Sequence, residues 1–90
     1  MKIEFDPAKS KKALAERGLD FSRAAEVFAG THFTAPDERQ DYKEDRFITI
    51  GHLDDRLVVL VWTPRDEVRR MISMRKANDR EKAFYDRYVD

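Results

Sequence analysis

Apolar and polar positions alternate at the start of the chain, Ile3 and Phe5 against Lys2 and Glu4, which predicts a short edge strand over 1–5 with one buried face. Asp6-Pro7 then reads as an N-cap followed by a first helical residue, because proline supplies a helical φ and lacks an N–H that would be orphaned there anyway. A helix over about 7–17 follows, its thin apolar side formed by Ala8, Ala13, Leu14 and Ala15, with Gly18 placed to end it. A second, shorter helix is expected near 22–28, where Ala24, Ala25, Val27 and Phe28 can pack before Gly30 stops it. Residues 31–35 are weakly β-prone, and 36–45 is polar and charged, the pattern of a mobile loop.

The strongest strands are 47–50 and 57–63. The run Leu57 to Trp62 is apolar at every position, as a strand covered on both faces would be, and Gly51 to Arg56 supplies a turn between the two. Thr63-Pro64-Arg65-Asp66 predicts a second tight turn with Pro64 at its second position. A third strand opens at Val68 and gives way to a helix at Asn78, which with Glu81 three residues later forms a capping-box pattern. Three strands joined by short turns imply a small antiparallel sheet, flanked by N-terminal helices and a C-terminal helix, so the fold class is α+β.

The third strand carries the most informative chemistry. With a period of two, Arg69, Met71, Ser73 and Arg75 share one face and Val68, Arg70, Ile72 and Met74 the other. Arg70 must then reach the rim or find a partner, since an unpaired buried charge is costly. Arg46, just before the first strong strand, is a candidate for the same patch. Guanidinium groups suit phosphates because their planar forks bind two oxygens and stay charged at physiological pH. Together with Tyr85 and Tyr88 at helical spacing, such a cluster is what single-stranded RNA binding uses, although Phe84, Tyr85 and Tyr88 serve equally well as the stripe that packs the last helix.

Ninety residues without an internal repeat or linker make one small domain, 1–90. The chain has no cysteine, which excludes disulfides and thiolate zinc sites and suits a reducing cytoplasm. No apolar run approaches a membrane span, so a soluble cytoplasmic protein is expected. Net charge is zero with 40% of residues charged, but the distribution is dipolar: 36–55 carries −4 and 67–76 carries +3. Phosphate loops, zinc-protease and serine-hydrolase motifs are absent, and His32 and His52 lack the companions a metal site needs. No cofactor is expected.

The order and spacing of Phe5-Asp-Pro-Ala-Lys9, Gly18-Leu-Asp-Phe21, Ala25 with Val27-Phe28, Asp45-Arg46-Phe47 before Gly51, Leu57 to Trp62, and Arg70-Met-Ile-Ser-Met-Arg-Lys-Ala77 followed by Glu81 and Tyr85 resemble the BrnT toxins of type II toxin–antitoxin systems. This chain has Phe5 where that family usually has tryptophan, Ala13 near its usual asparagine, and Glu16-Arg17 in place of its lysine-histidine pair. The resemblance implies a RelE-like fold and a ribonuclease that arrests translation. It also implies neutralisation by a BrnA-like ribbon-helix-helix antitoxin, in a heterotetramer that meets operator DNA only through the antitoxin. Metal-free RNA cleavage needs a proton acceptor, a proton donor and cations where charge develops at phosphorus; on that chemistry Arg70 and Arg75, then Arg46, are the candidate charge-stabilising residues and Glu81 or Tyr85 the proton handler, ahead of His32 or His52. Arg69, Lys76 and Arg80 would bind RNA. The alternatives are a non-catalytic RNA- or protein-binding module using the same patch, or a patch that only receives an acidic antitoxin segment.

Overall fold

A computed structural model describes residues 2–89, so Met1 of the expected first strand lies outside the described residues. Strand β1 (Lys2–Glu4) leads into helix α1 (Pro7–Arg17), a 3₁₀ turn (Phe21–Arg23) and helix α2 (Ala24–Ala29). Strands β2 (His32–Pro36), β3 (Phe47–Leu53), β4 (Arg56–Arg65) and β5 (Val68–Lys76) follow, and helix α3 (Asp79–Val89) closes the fold. The sheet order is β1-β5-β4-β3-β2. Strands β2 to β5 pair antiparallel, and β1 adds to β5 in parallel, so the α+β class holds with a mixed sheet rather than a purely antiparallel one.

The two long helices begin where the sequence says. Asp6 Oδ1 accepts the N–H of Ala8 at 2.9 Å, and Gly18, at φ 70°, closes α1 by returning its N–H to Leu14 O at 3.0 Å. The inward face of α1 is rotated from the expected one: Ser10 and Ala13 are buried while Leu14 is 50% exposed. Ser10 is tolerated inside because its Oγ accepts the Phe21 N–H at 3.0 Å and donates to Asp20 at 3.2 Å.

Both turns fall later than the sequence suggests. The β3–β4 ladder continues through Gly51↔Val58 to Leu53↔Arg56, and the reversal is made by Asp54 and Asp55 alone, both at positive φ as a two-residue hairpin requires. Gly51 therefore serves packing, not the turn: a Cβ there would lie 2.8 Å from Val27 Cγ1 of α2. Pro64 belongs to β4 opposite Arg69, and Asp66 and Glu67 make the turn. A proline fits there because β3 has already ended at Phe47↔Trp62, leaving that side of β4 as an edge.

The sheet is covered on both faces. On one, Leu19, Phe21, Val27 and Phe28 from the 3₁₀ and α2 region pack with Ala13 on Val58, Leu60, Trp62, Met71 and Met74. On the other, Tyr85 of α3 packs on Ile50, Leu57 and Val59. Central β4 is accordingly buried on both sides, with Val58, Val59 and Leu60 fully inaccessible.

The ladder between β4 and β5 shifts register at Val61/Trp62, where Val61 pairs with Ser73 but Trp62 pairs with Met71. Ile72 is the extra residue of a β-bulge, and strict alternation fails across it. Met71 and Met74, three apart, both enter the α2-side core, and Arg70, Ser73 and Arg75 align with Thr63, Val61 and Val59 on the α3 side. The expected pairing of Arg69 with Arg75 on one face is thus replaced by Arg70 with Arg75.

We expect Gly51→Ala to destabilise the fold by about 1–3 kcal/mol through overpacking against Val27. Urea unfolding checks this, and it should reveal no change in the slope of the transition.

Candidate nucleic-acid interface

On the α3 side of the sheet, beyond the strand residues that α3 packs on, lies an arginine-bearing face bordered by the 37–46 segment, termed the trough. Two register rows cross it, Ile48–Val61–Ser73 and Thr63–Arg70–Glu4, with Val61 and Thr63 buried beneath at 5% and 3% exposure. Arg70 forms an ion pair with Glu4 across the β5–β1 pairing. At ~3.3 Å per residue along the paired strand, Arg70 and Arg75 are separated by about 13 Å, so they suit different phosphates of one strand rather than the same one.

Arg75 is gripped by Glu81 through a two-pronged contact, Nη1 to Oε1 and Nη2 to Oε2, both 2.7 Å. Glu81 is also half of the capping box: its Oε1 accepts the Asn78 N–H at 2.9 Å while Asn78 Oδ1 accepts the Glu81 N–H at 2.8 Å. The Arg75 fork holds the Glu81 carboxyl below the usual carboxylate range, and Glu81 raises Arg75 in return. Glu81 is therefore ionised at neutral pH and able to accept a proton.

The 37–46 segment walls the trough; residues 36–45 are read from sequence as a mobile loop, but the segment is tied down at several points. Asp37 N–H donates to Arg46 O at 2.8 Å, and Thr63 Oγ1 donates to Asp45 O at 2.6 Å. The Asp37 carboxylate, fully buried, accepts Arg39 Nε and Nη2 at 2.7 and 2.8 Å. That contact lowers the Asp37 pKa and raises that of Arg39, whose charge is close enough to oppose Arg75 and favour ionised Glu81. Arg46 lies over the Tyr42 ring at 3.9 Å, and its buried Nε–H has no hydrogen-bond partner among the described residues.

The structure thus brings together Arg46, Arg70, Arg75 and Glu81, and adds Arg39, Asp37 and Tyr42, which the sequence reading missed. Their only local signal was an aspartate two residues before an arginine; what assembles them is long-range contact. Other candidates lie elsewhere. Arg69 points to the α2 side, stacked over Phe28 and Trp62 at 4.1 and 4.7 Å, where burial lowers its pKa. Lys76, paired with Val58 and so also on the α2-facing register, is exposed, as is Arg80 in the first turn of α3. Tyr85 is buried in the α3 core with its hydroxyl donating to Thr31 O at 3.0 Å, which commits it to packing. His52 meets the edge of the Tyr85 ring, and His32 Nδ1 contacts Gly30 O at 2.8 Å; neither enters the trough. Arg17 donates to Met74 O at 3.0 Å and braces β5.

A family model described as the ribonuclease toxin, BrnT, of type II toxin–antitoxin systems matches residues 5–81. The chain belongs to the BrnT family. No curated protein matches it. The matched span takes in every side chain of the trough except Glu4, from Asp37 through Arg75 to Glu81, whereas Tyr85 and Tyr88 lie beyond it. Among the described residues no helix is long and apolar enough to cross a membrane, and no group of three or more His, Cys, Asp or Glu side chains is placed to hold a metal ion.

The Glu81 contacts have a testable pH signature. A carboxylate with a depressed folded pKa contributes stability that is complete above its unfolded value, about 4.3, and is lost as pH falls through the folded value. Glu81→Gln should therefore be less stable than wild type at pH 7, and the gap should narrow as pH falls below about 4.3 and close once it passes the depressed folded value. Thermal melts of both proteins across pH 3 to 7 check it; a gap independent of pH would mean that the Arg75 contact is energetically silent.

Proposed function

We propose that this BrnT-family chain is a metal-independent endoribonuclease on a RelE-like scaffold, with the arginine trough as its site. The observation that carries the reading is the bulge at Ile72, which aligns Arg70 with Arg75 beside an ionised Glu81. In this reading a single strand of RNA lies along the trough, and a phosphate displaces Glu81 from the Arg75 fork. The released carboxylate takes the proton of the neighbouring 2′-hydroxyl as its oxygen attacks phosphorus. The P–O5′ bond breaks, the 5′-oxygen takes a proton from solvent, and a 2′,3′-cyclic phosphate remains. Arg75 stabilises the charge that develops at phosphorus, supported by the Arg46 guanidinium, while Arg70 holds an adjacent phosphate. Glu81 is favoured over Tyr85 because it adjoins Arg75 and is already ionised.

The type II family implies a protein antitoxin, and we assign this chain a BrnA-like ribbon-helix-helix partner in a cytoplasmic heterotetramer, with translation arrested when the partner is lost. Arginines facing water with carboxylates already seated on them are also what an acidic antitoxin segment would engage by exchange.

Arg75→Ala should abolish growth arrest on induction and lower the single-turnover cleavage rate of single-stranded RNA in EDTA by at least 100-fold. Added RNA should not rescue it, because the charge is needed in the transition state. Arg75→Lys should retain part of the rate, a point charge replacing a two-pronged donor. Wild type that leaves RNA intact with and without ribosomes, with an alanine variant as toxic as wild type, would replace the ribonuclease by a binding module.

A further inference from the structure

A second cationic surface adjoins the trough. Because β1 pairs only with Val68–Arg70, the outer edge of β5 from Met71 onward has no strand partner among the described residues. Helix α1 runs along that edge, and between them opens a cavity of about 190 Å³ lined by Lys9, Lys12, Glu16, Arg17, Ile72 and Ser73. Helix α1 carries Lys9, Lys11, Lys12 and Arg17 against Glu16 alone, so it too is net cationic. Arg17 is committed to Met74 O, whereas Lys9 is exposed and Lys12 meets Glu16 only at 3.9 Å with 77% of its side chain in solvent. Such an exposed pair is worth little and is readily exchanged.

Ser73 connects the two surfaces. By register it shares the trough face with Arg70 and Arg75, and it also borders the α1 cavity, because the bulge at Ile72 turns the strand edge there. We propose that the α1–β5 cleft is a second phosphate-binding station, in which Lys9 and Lys12 hold the backbone of the same RNA strand whose neighbouring phosphates rest on Arg70 and Arg75. This inference rests on the ribonuclease reading and extends it from a scissile position to a path. An RNA strand suits the cleft because its rim is net cationic, Lys9, Lys12 and Arg17 against Glu16, and runs into the trough through Ser73, while Ala13, Phe21 and Ile72 line it beneath. The ammonium groups are flexible point charges, fit for holding a backbone without reading its sequence.

The test is a salt series of binding between the full chain and a 2′-O-methylated single-stranded RNA, which cannot be cleaved, alongside single-turnover cleavage of the unmodified strand. Lys9→Ala/Lys12→Ala should bind about tenfold more weakly at low salt. Its slope of log affinity against log salt should be shallower by about 1.4, since each lost single-strand phosphate contact removes about 0.7. The maximal cleavage rate at saturating RNA should stay within twofold of wild type, and Lys9→Arg/Lys12→Arg should restore the slope. Both lysines are exposed and alanine favours the helix, so circular dichroism should show an intact fold. An unchanged slope and affinity in the alanine variant, with Arg75→Ala still slow, overturns the second station and leaves the ribonuclease reading standing. Loss of antitoxin binding with RNA affinity unchanged assigns the cleft to a protein partner and also overturns it. A wild type that neither binds nor cleaves RNA removes both.

Discussion

Met71 and Met74 are 2% and 0% exposed on the same side of a strand, although they are three positions apart and a regular strand would send them to opposite faces. Burying each thioether side chain is worth about 1.5–3 kcal/mol, enough to favour a local break in the ladder over leaving one methionine in water. Ile72 absorbs the mismatch as a bulge opposite Val61/Trp62. The alignment of the α3 side follows from that one inserted residue: without it Arg70 would not share a face with Ser73 and Arg75.

Glu81 then couples the strand to the last helix. One carboxylate completes the capping box with Asn78 and fills the Arg75 fork, so the start of α3 and the charge of β5 are positioned together. The same contact leaves the fork occupied in the free protein. A phosphate must compete with a carboxylate for Arg75, and the winner is decided by geometry and by the neighbouring charge of Arg39 rather than by an empty pocket.

Local signals were legible in the sequence. Asp6-Pro7, Gly18 and the Asn78–Glu81 box placed α1 and the start of α3, and the uninterrupted apolar run placed β4 at the centre. The turns were displaced because glycine and proline have more than one use: Gly51 makes room for Val27, and Pro64 lies on an edge. The face assignment of β5 failed because period two was carried through Met71 and Met74, whose spacing of three already contradicted it. The 37–46 wall was illegible for another reason. Its order comes from Thr63 and from Arg46, remote or mutual contacts that no local pattern announces. RNA as a partner was suggested by guanidinium chemistry, but cleavage entered only with the family.

The most direct test of the bulge as the origin of the site is to watch the arginine Nε–H signals by NMR while the protein is titrated with uncleavable single-stranded RNA. Arg46, Arg70 and Arg75 should shift together and saturate at one stoichiometry, while Arg69, stacked on Phe28 and Trp62 across the sheet, should stay in place. Arg69 moving in concert with Arg75, or Arg70 and Arg75 responding at different RNA concentrations, would contradict a single face built by the register shift.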